Sequence, residues 1–207
     1  MSVLLRVDSS PMFAASVSRH LTDQFVEKWS AKHHGGQVVT RDLNKTELKP
    51  LTAEWVAAAY TPEEARTPEQ KQLLALSDEL VAEIEKADEL VIGLPMHNFS
   101  IAGVTKLWID LIARVGKTFS YGAEGPKGLL KNKKITFLVA TGGKYDPGTA
   151  YESFNFVEPY VRTVFAFLGV TDVKFITAGG TAALRNPETN RESFLQPYEE
   201  AVAAHLG

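Results

Sequence analysis

Short apolar runs alternate with amphipathic helical patterns from one end of this chain to the other, and that alternation constrains the fold more than any motif. Four runs rich in Val, Ile, Leu and Phe, at residues 3–7, 90–94, 135–140 and 173–177, read as buried parallel strands, with a weaker fifth at 37–41. Between them, Val17, Leu21, Phe25 and Trp29 lie four apart on a first helix. Thr67, Pro68, Glu69 and Gln70 form a capping box with Pro at N1, opening a helix over residues 68–86 that carries Leu73, Leu76, Leu80 and Ile84. Val104, Leu107, Trp108, Leu111, Ile112 and Val115 make one stripe. Phe154, Val157, Val161, Val164, Phe165 and Leu168 make the next, over residues 151–168, stopped by Gly169 at a C-cap. Phe194, Tyr198, Ala201 and Val202 mark the last helix. Residues 44–66, with Pro50 and Pro62, read as an inserted short helix plus loops. Right-handed crossovers then give a doubly wound α/β fold. Its five parallel strands are expected in the order 2-1-3-4-5, with helices on both faces, as one domain over residues 1–207.

Composition narrows the function. Twenty-two Lys and Arg against 25 Asp and Glu leave a net charge of −3, without the basic surplus that a nucleic-acid partner demands. There is no cysteine, which removes disulfides, thiolate-bound metals and a cysteine nucleophile or redox dithiol. Any electrons this chain moves must be stored in a bound group. Residues 1–10 lack a signal-peptide pattern and no apolar run approaches the ~18 residues of a membrane span, so the cytoplasm is expected.

In an open sheet of this kind ligands bind beyond the carboxyl ends of the strands, at the switch point between the first and third. Three loops meet there. The first contains Ser10, Ser16, Val17 and Ser18 and has neither a Walker lysine nor GxGxxG. Its hydroxyls and the free N–H groups of a helix N-terminus suit a terminal phosphate; alternatively Ser16 only caps the helix and Ser10 only ends a strand. The second, Pro95, Met96, His97, Asn98, Phe99 and Ser100, suits a flat heteroaromatic ligand with a polar edge. His97 is either a proton donor or an ordering hydrogen bond, and Phe99 either a ligand contact or packing. The third runs through Ala140, Thr141, Gly142 and Gly143. Its paired glycines either let the backbone approach a ligand or make a tight turn. Residues 116–130 read as an irregular, glycine-rich excursion around Phe119 and Tyr121, able to wall a substrate pocket. His33 and His34 lack further ligands at metal spacing, and no GxSxG elbow is present.

Taken together, Ser10 to Ser18, Leu94 to Phe99, Gly116 to Leu130 and Gly169 to Phe175 resemble the FMN-dependent NADH:azo compound and quinone oxidoreductases, the azoreductase family of flavodoxin-like enzymes. The likeness covers nearly the whole chain. It implies FMN, with its phosphate side held by Ser10, Ser16, Val17 and Ser18. The isoalloxazine would be lined by Pro95, Met96, His97, Asn98 and Phe99 and by Ala140, Thr141, Gly142 and Gly143. It also implies ping-pong transfer of two electrons from NADH or NADPH to quinones and aromatic azo compounds, in a homodimer whose two sites draw on both chains. His97 and Tyr121 would line the substrate. The chain departs from the family where His97 stands for the commoner Tyr, and Ala140-Thr141 for the frequent Ser-Arg. The rival reading is a one-electron carrier or binding module of the same fold. A phospho-receiver is disfavoured, because Pro95 and Met96 stand where its acceptor Asp would be.

Overall fold

The computed structural model describes residues 1–207. The chain runs β1 (Val3–Asp8), α1 (Val17–Lys32), β2 (Gln37–Asp42), α2 (Ala53–Tyr60), α3 (Pro68–Lys86), β3 (Glu89–His97) and β4 (Ser100–Ile101). It continues through α4 (Gly103–Ile112), β5 (Phe119–Gly122), β6 (Gly125–Gly128), β7 (Lys134–Ala140), α5 (Val157–Leu168), β8 (Asp172–Ala178) and α6 (Arg191–Leu206). The five long strands pair in parallel in the order β2-β1-β3-β7-β8, the expected topology.

Strand alternation divides the core. Val3, Leu5 and Val7 of β1, Leu90, Ile92 and Leu94 of β3, and Ile135, Phe137 and Val139 of β7 face one cluster, which they share with α2, α3, α4 and α5. Leu4, Val91 and Leu138 face a smaller cluster with Leu21, Phe25 and Trp29 of α1 and Leu195 and Val202 of α6. Because both faces are covered, the strands read as continuous apolar runs. No helix is long and apolar enough to cross a membrane.

The caps fall where expected. Thr67 and Gln70 close a reciprocal capping box on α3, and Gly169 ends α5 in the left-handed region at φ 103°. Five expectations need correction. Pro95, Met96 and His97 do not begin a loop but continue β3. Strand β1 stops pairing at Asp8 opposite Gly93, while β7 pairs on to Pro95 opposite Ala140. Beyond Gly93 one side of β3 is therefore free of parallel partners, where a proline's missing N–H costs no ladder bond. Residues 116–130 are not irregular: they hold the antiparallel hairpin β5–β6. Helix α4 ends at Ile112, short of Val115, because Thr118 Oγ1 donates to the Ile112 carbonyl at 2.6 Å and turns the chain. Helix α5 starts at Val157 rather than 151, leaving Phe154 in a preceding 3-10 turn, and in α3 it is Leu74 and Ser77, not Leu73, that face inward.

Candidate functional site

The loop after β1 is built by packing, not by chance exposure. Ser9 Oγ donates to the Gly93 carbonyl at 2.7 Å, binding the end of β1 to β3. Gly93 has no side chain because a Cβ there would meet Asp8 Oδ1 and Thr22 Cγ2 at 3.1 Å. Ser10 Oγ accepts from Met12 N at 3.3 Å. Ser16 is the N-cap of α1, its Oγ accepting from Arg19 N at 3.2 Å and lying 3.2 Å from Ser18 Oγ. All four serines are buried. The capping and ligand readings of Ser16 are compatible. The cap uses an acceptor lone pair and leaves the hydroxyl proton to donate, while the first-turn N–H groups of Val17 and Ser18 have no intrahelical partner.

Beneath the loop lies a charged network that the sequence motifs did not reveal. The register of β1 against β2 places Asp8 beside Asp42. Arg19 reaches both, with Nη1 and Nη2 donating to Asp42 at 2.9 and 2.7 Å and Nη1 lying 3.7 Å from Asp8. Burial pushes the Asp8 carboxyl above its ordinary value, against the pull of Arg6, Thr22 and Arg19. Burial also pushes on Asp42, but the Arg19 hydrogen bonds, the Asn44 N–H and the nearby cations outweigh it and hold that carboxyl low.

At the second position, His97 pairs with Ser100 and the two residues between them make the turn. Asn98 and Phe99 sit at φ 48° and 72°, the double positive φ of a type I′ hairpin, in which glycine is the preferred second residue. An aromatic at such a φ is a genuine outlier. Phe99 is 47% exposed, with its ring 5.5 Å from Phe154 and 6.3 Å from Tyr145. A side chain kept at a conformational cost and half in solvent is poorly explained by packing. Phe99→Gly is therefore expected to cost less than about 1 kcal/mol in urea denaturation, because relief of a left-handed residue, ~1–2 kcal/mol, offsets the lost contacts. Truncating buried Phe137 to Ala should cost about 3–5 kcal/mol. A comparable loss at Phe99 would make it a packing residue.

The third loop is stapled to the end of β8. Thr141 N donates to the Ala178 carbonyl, Thr181 N to the Thr141 carbonyl and Gly180 N to the Gly143 carbonyl, at 2.9–3.0 Å. Neither Gly142 nor Gly143 has positive φ, so no tight turn requires them. A Cβ on Gly142 would meet nothing within 4 Å. The backbone there is exposed, so a ligand can approach it without meeting a side chain. Ala140 ends β7, and with Pro95 opposite it the second and third loops adjoin.

The chain thus gathers Ser10, Ser16, Val17 and Ser18, the Pro95–Phe99 segment, and Ala140 to Gly143 at the carboxyl edge of β1, β3 and β7. Tyr121 is not among them. Its hairpin docks beside the C-terminus of α5, where Leu130 N donates to the Leu168 carbonyl and Phe119 packs on Phe167. That is the opposite end of the sheet, about 20 Å away along seven-residue β7. Tyr121 is 64% exposed there. Two exposed rings that the sequence reading did not assign to the site lie nearby: Phe156, whose N donates to the Phe99 carbonyl at 3.0 Å, and Tyr151, which packs on Phe154. Hydroxyl and N–H donors for an anion, backbone and amide groups for a ring edge, and an aromatic wall together describe a site for a phosphorylated, flat heteroaromatic molecule.

Residues 2–202 match the protein family described by a flavodoxin-like fold. The FMN-dependent NADH:quinone oxidoreductase of Acidobacterium capsulatum is 53% identical over 202 residues, 98% of each chain. FMN-dependent NADH:quinone oxidoreductase 3 of Burkholderia lata is 43% identical over 201 residues, 97% of each chain. Among solved structures, the azoreductase of Bacillus anthracis str. Sterne superposes with a TM-score of 0.88 at 28% identity, over 100% of this chain and 99% of that one.

Proposed function

The chain belongs to the flavodoxin-like family that includes the FMN-dependent NADH:quinone oxidoreductases, and from that premise we propose that it works as one of them, reducing quinones and aromatic azo compounds. The observation that carries the reading is the conjunction of a lysine-free phosphate cradle at the N-terminus of α1 with an open, glycine-lined backbone at Gly142 and a strained aromatic at Phe99. FMN fits these groups. The chemistry it supplies when bound is acceptance of a hydride from NADH and delivery of two electrons to the second substrate.

What remains for the protein is binding, alignment and exclusion. Ser10, Ser16 and Ser18, with the Val17 and Ser18 N–H groups, hold the phosphate. Pro95 to Phe99 and Ala140 to Gly143 would line the ring; since Thr141 N is committed to the Ala178 carbonyl, the N–H groups left to meet its electron-rich edge are those of Gly142 and Gly143. Phe99 and Phe154 give a flat substrate an aromatic face, which helps bring it within the ~3–3.5 Å near-attack range. His97, exposed at the end of β3, presents a ring-nitrogen proton beside that face. No side chain acts as a nucleophile.

Residues 1–207 act as one domain, and the working form is a homodimer in which each site is completed by the partner. What supports this is Tyr121: the residue that the family resemblance makes substrate-lining lies at the far end of its own sheet, so in that role it would serve a second chain's site. Use of NADH, a co-substrate of the cell interior, supports a cytoplasmic location. Anaerobic titration tests the reading. The purified protein should be yellow, and one equivalent of NADH per flavin should bleach it in a single two-electron phase that a quinone reverses. Accumulation of a one-electron radical with no NADH oxidised would instead make it an electron carrier.

A further inference from the structure

We infer that Arg19 is the positioning residue of the phosphate-binding loop, holding it from beneath without touching the phosphate; this rests on the flavin reading above. Arg19 lies one turn into α1, in the neighbourhood where an arginine would ordinarily be taken for the anion's counter-charge. Its side chain is committed elsewhere. Nε donates to the Ser10 carbonyl at 2.8 Å, and the two terminal nitrogens fork onto the Asp42 carboxylate. One face of the guanidinium is covered by the Phe13 ring, 4.9 Å from Cζ to centroid. The residue's own backbone N–H is the one that Ser16 caps. A single residue therefore touches the start of the loop at Ser10, its middle at Phe13 and its end at Ser16, and anchors all three to the tip of β2.

Charge counting points the same way. The parallel register puts the Asp8 and Asp42 carboxylates on neighbouring strands, and Arg6 and Arg19 lie against them, Arg6 Nε donating to Asp8 at 2.7 Å. Arg6 also reaches Asp23, at 2.6 Å, so two cations meet three anions and Arg19 brings no surplus positive charge to the loop. What it contributes is geometry. A planar fork with a separate Nε donor can bridge a carboxylate and a carbonyl at once, which the point charge of a lysine cannot. Phe13, held at φ 44°, is the strained member of the loop, and the guanidinium stacked on it keeps it there. The loop is in this way preset to receive a phosphate on Ser10, Ser16 and Ser18 before any ligand arrives, and the entropy of ordering it is spent on folding, not on binding.

Dissociation constants of FMN and riboflavin, read by flavin fluorescence on the full-length protein, test this. Riboflavin lacks the phosphate and reports on the ring site alone. Arg19→Lys and Asp42→Asn are each expected to weaken FMN by about tenfold or more, the worth of a charge-assisted hydrogen bond, and to leave riboflavin within about twofold. Wild-type FMN affinity in Arg19→Lys would overturn the inference in favour of a direct counter-charge. Equal losses for both flavins would overturn it in favour of a general structural role, and melting of the apoproteins would show the same loss. Failure of the wild type itself to bind FMN would instead overturn the flavin reading, and the inference with it.

Discussion

The Ser16→Ala, Ser18→Ala double variant is expected to lose FMN affinity by about two to four orders of magnitude, two hydrogen bonds to a charged phosphate being worth ~1.5–3 kcal/mol each. Stability should suffer much less. Ser16 caps Arg19 N, and removing a serine cap costs about 1 kcal/mol, or roughly 2–4 °C in a chain of this size. The disparity is the test, because capping and phosphate binding draw on different parts of the same hydroxyl. The cap needs the oxygen as acceptor; the phosphate needs the proton. Ser18 separates them further: its side chain is fully buried and its only hydrogen-bond partner is Ser16 Oγ, so it has no capping role to lose. Fluorescence titration of the apoprotein with FMN, beside a urea melt without it, reads both quantities. A melt that collapses while FMN affinity holds would reduce both serines to structural groups.

Much of this was legible in sequence because the signals are local. The four apolar runs are buried on both faces, so their strands announce themselves without alternation; β2, half exposed along its length, gave only a weak run. The serine loop follows a strand and precedes a helix within a dozen residues, and its chemistry follows from that adjacency. What escaped depends on register or on tertiary contact. Arg19 and Asp42 are 23 residues apart and meet only because β1 and β2 align Asp8 with Asp42. The strand character of Pro95 depends on β1 ending two residues earlier. The hairpin β5–β6 has glycine at three of its eight positions and Pro126 opposite Tyr121, a pattern indistinguishable from loop until its docking partner is known. Phe154 kept helical spacing with Val157 and Val161, yet it serves the aromatic wall beside Phe99, since spacing alone does not say where a helix begins.

That hairpin carries the other large expected effect. At Gly128 the backbone of β6 crosses the end of α5 so closely that a Cβ would lie 2.1 Å from Gly169 N and 2.3 Å from Leu168 C. Neither is a side-chain atom that can swing aside. Gly169 cannot retreat easily, because it holds the left-handed C-cap and packs so tightly that a Cβ built on it would lie 2.8 Å from the Leu130 carbonyl. Gly128→Ala must therefore lift the hairpin off α5, at a cost of about 3 kcal/mol or more, the upper range for forced overpacking. The chain's own serine loop lies at the other end of the sheet and should still bind FMN, while on the proposed shared-site dimer turnover is expected to fall by orders of magnitude. Complementation distinguishes this from simple misfolding. Gly128→Ala chains have an intact cradle and a displaced hairpin; Ser16→Ala, Ser18→Ala chains have the reverse. If sites are shared across a two-fold dimer, co-expression restores one complete site in each mixed dimer, and random pairing gives about a quarter of wild-type activity. If every site belongs to one chain, no mixed dimer contains a complete site, and activity stays at the level of the two variants alone.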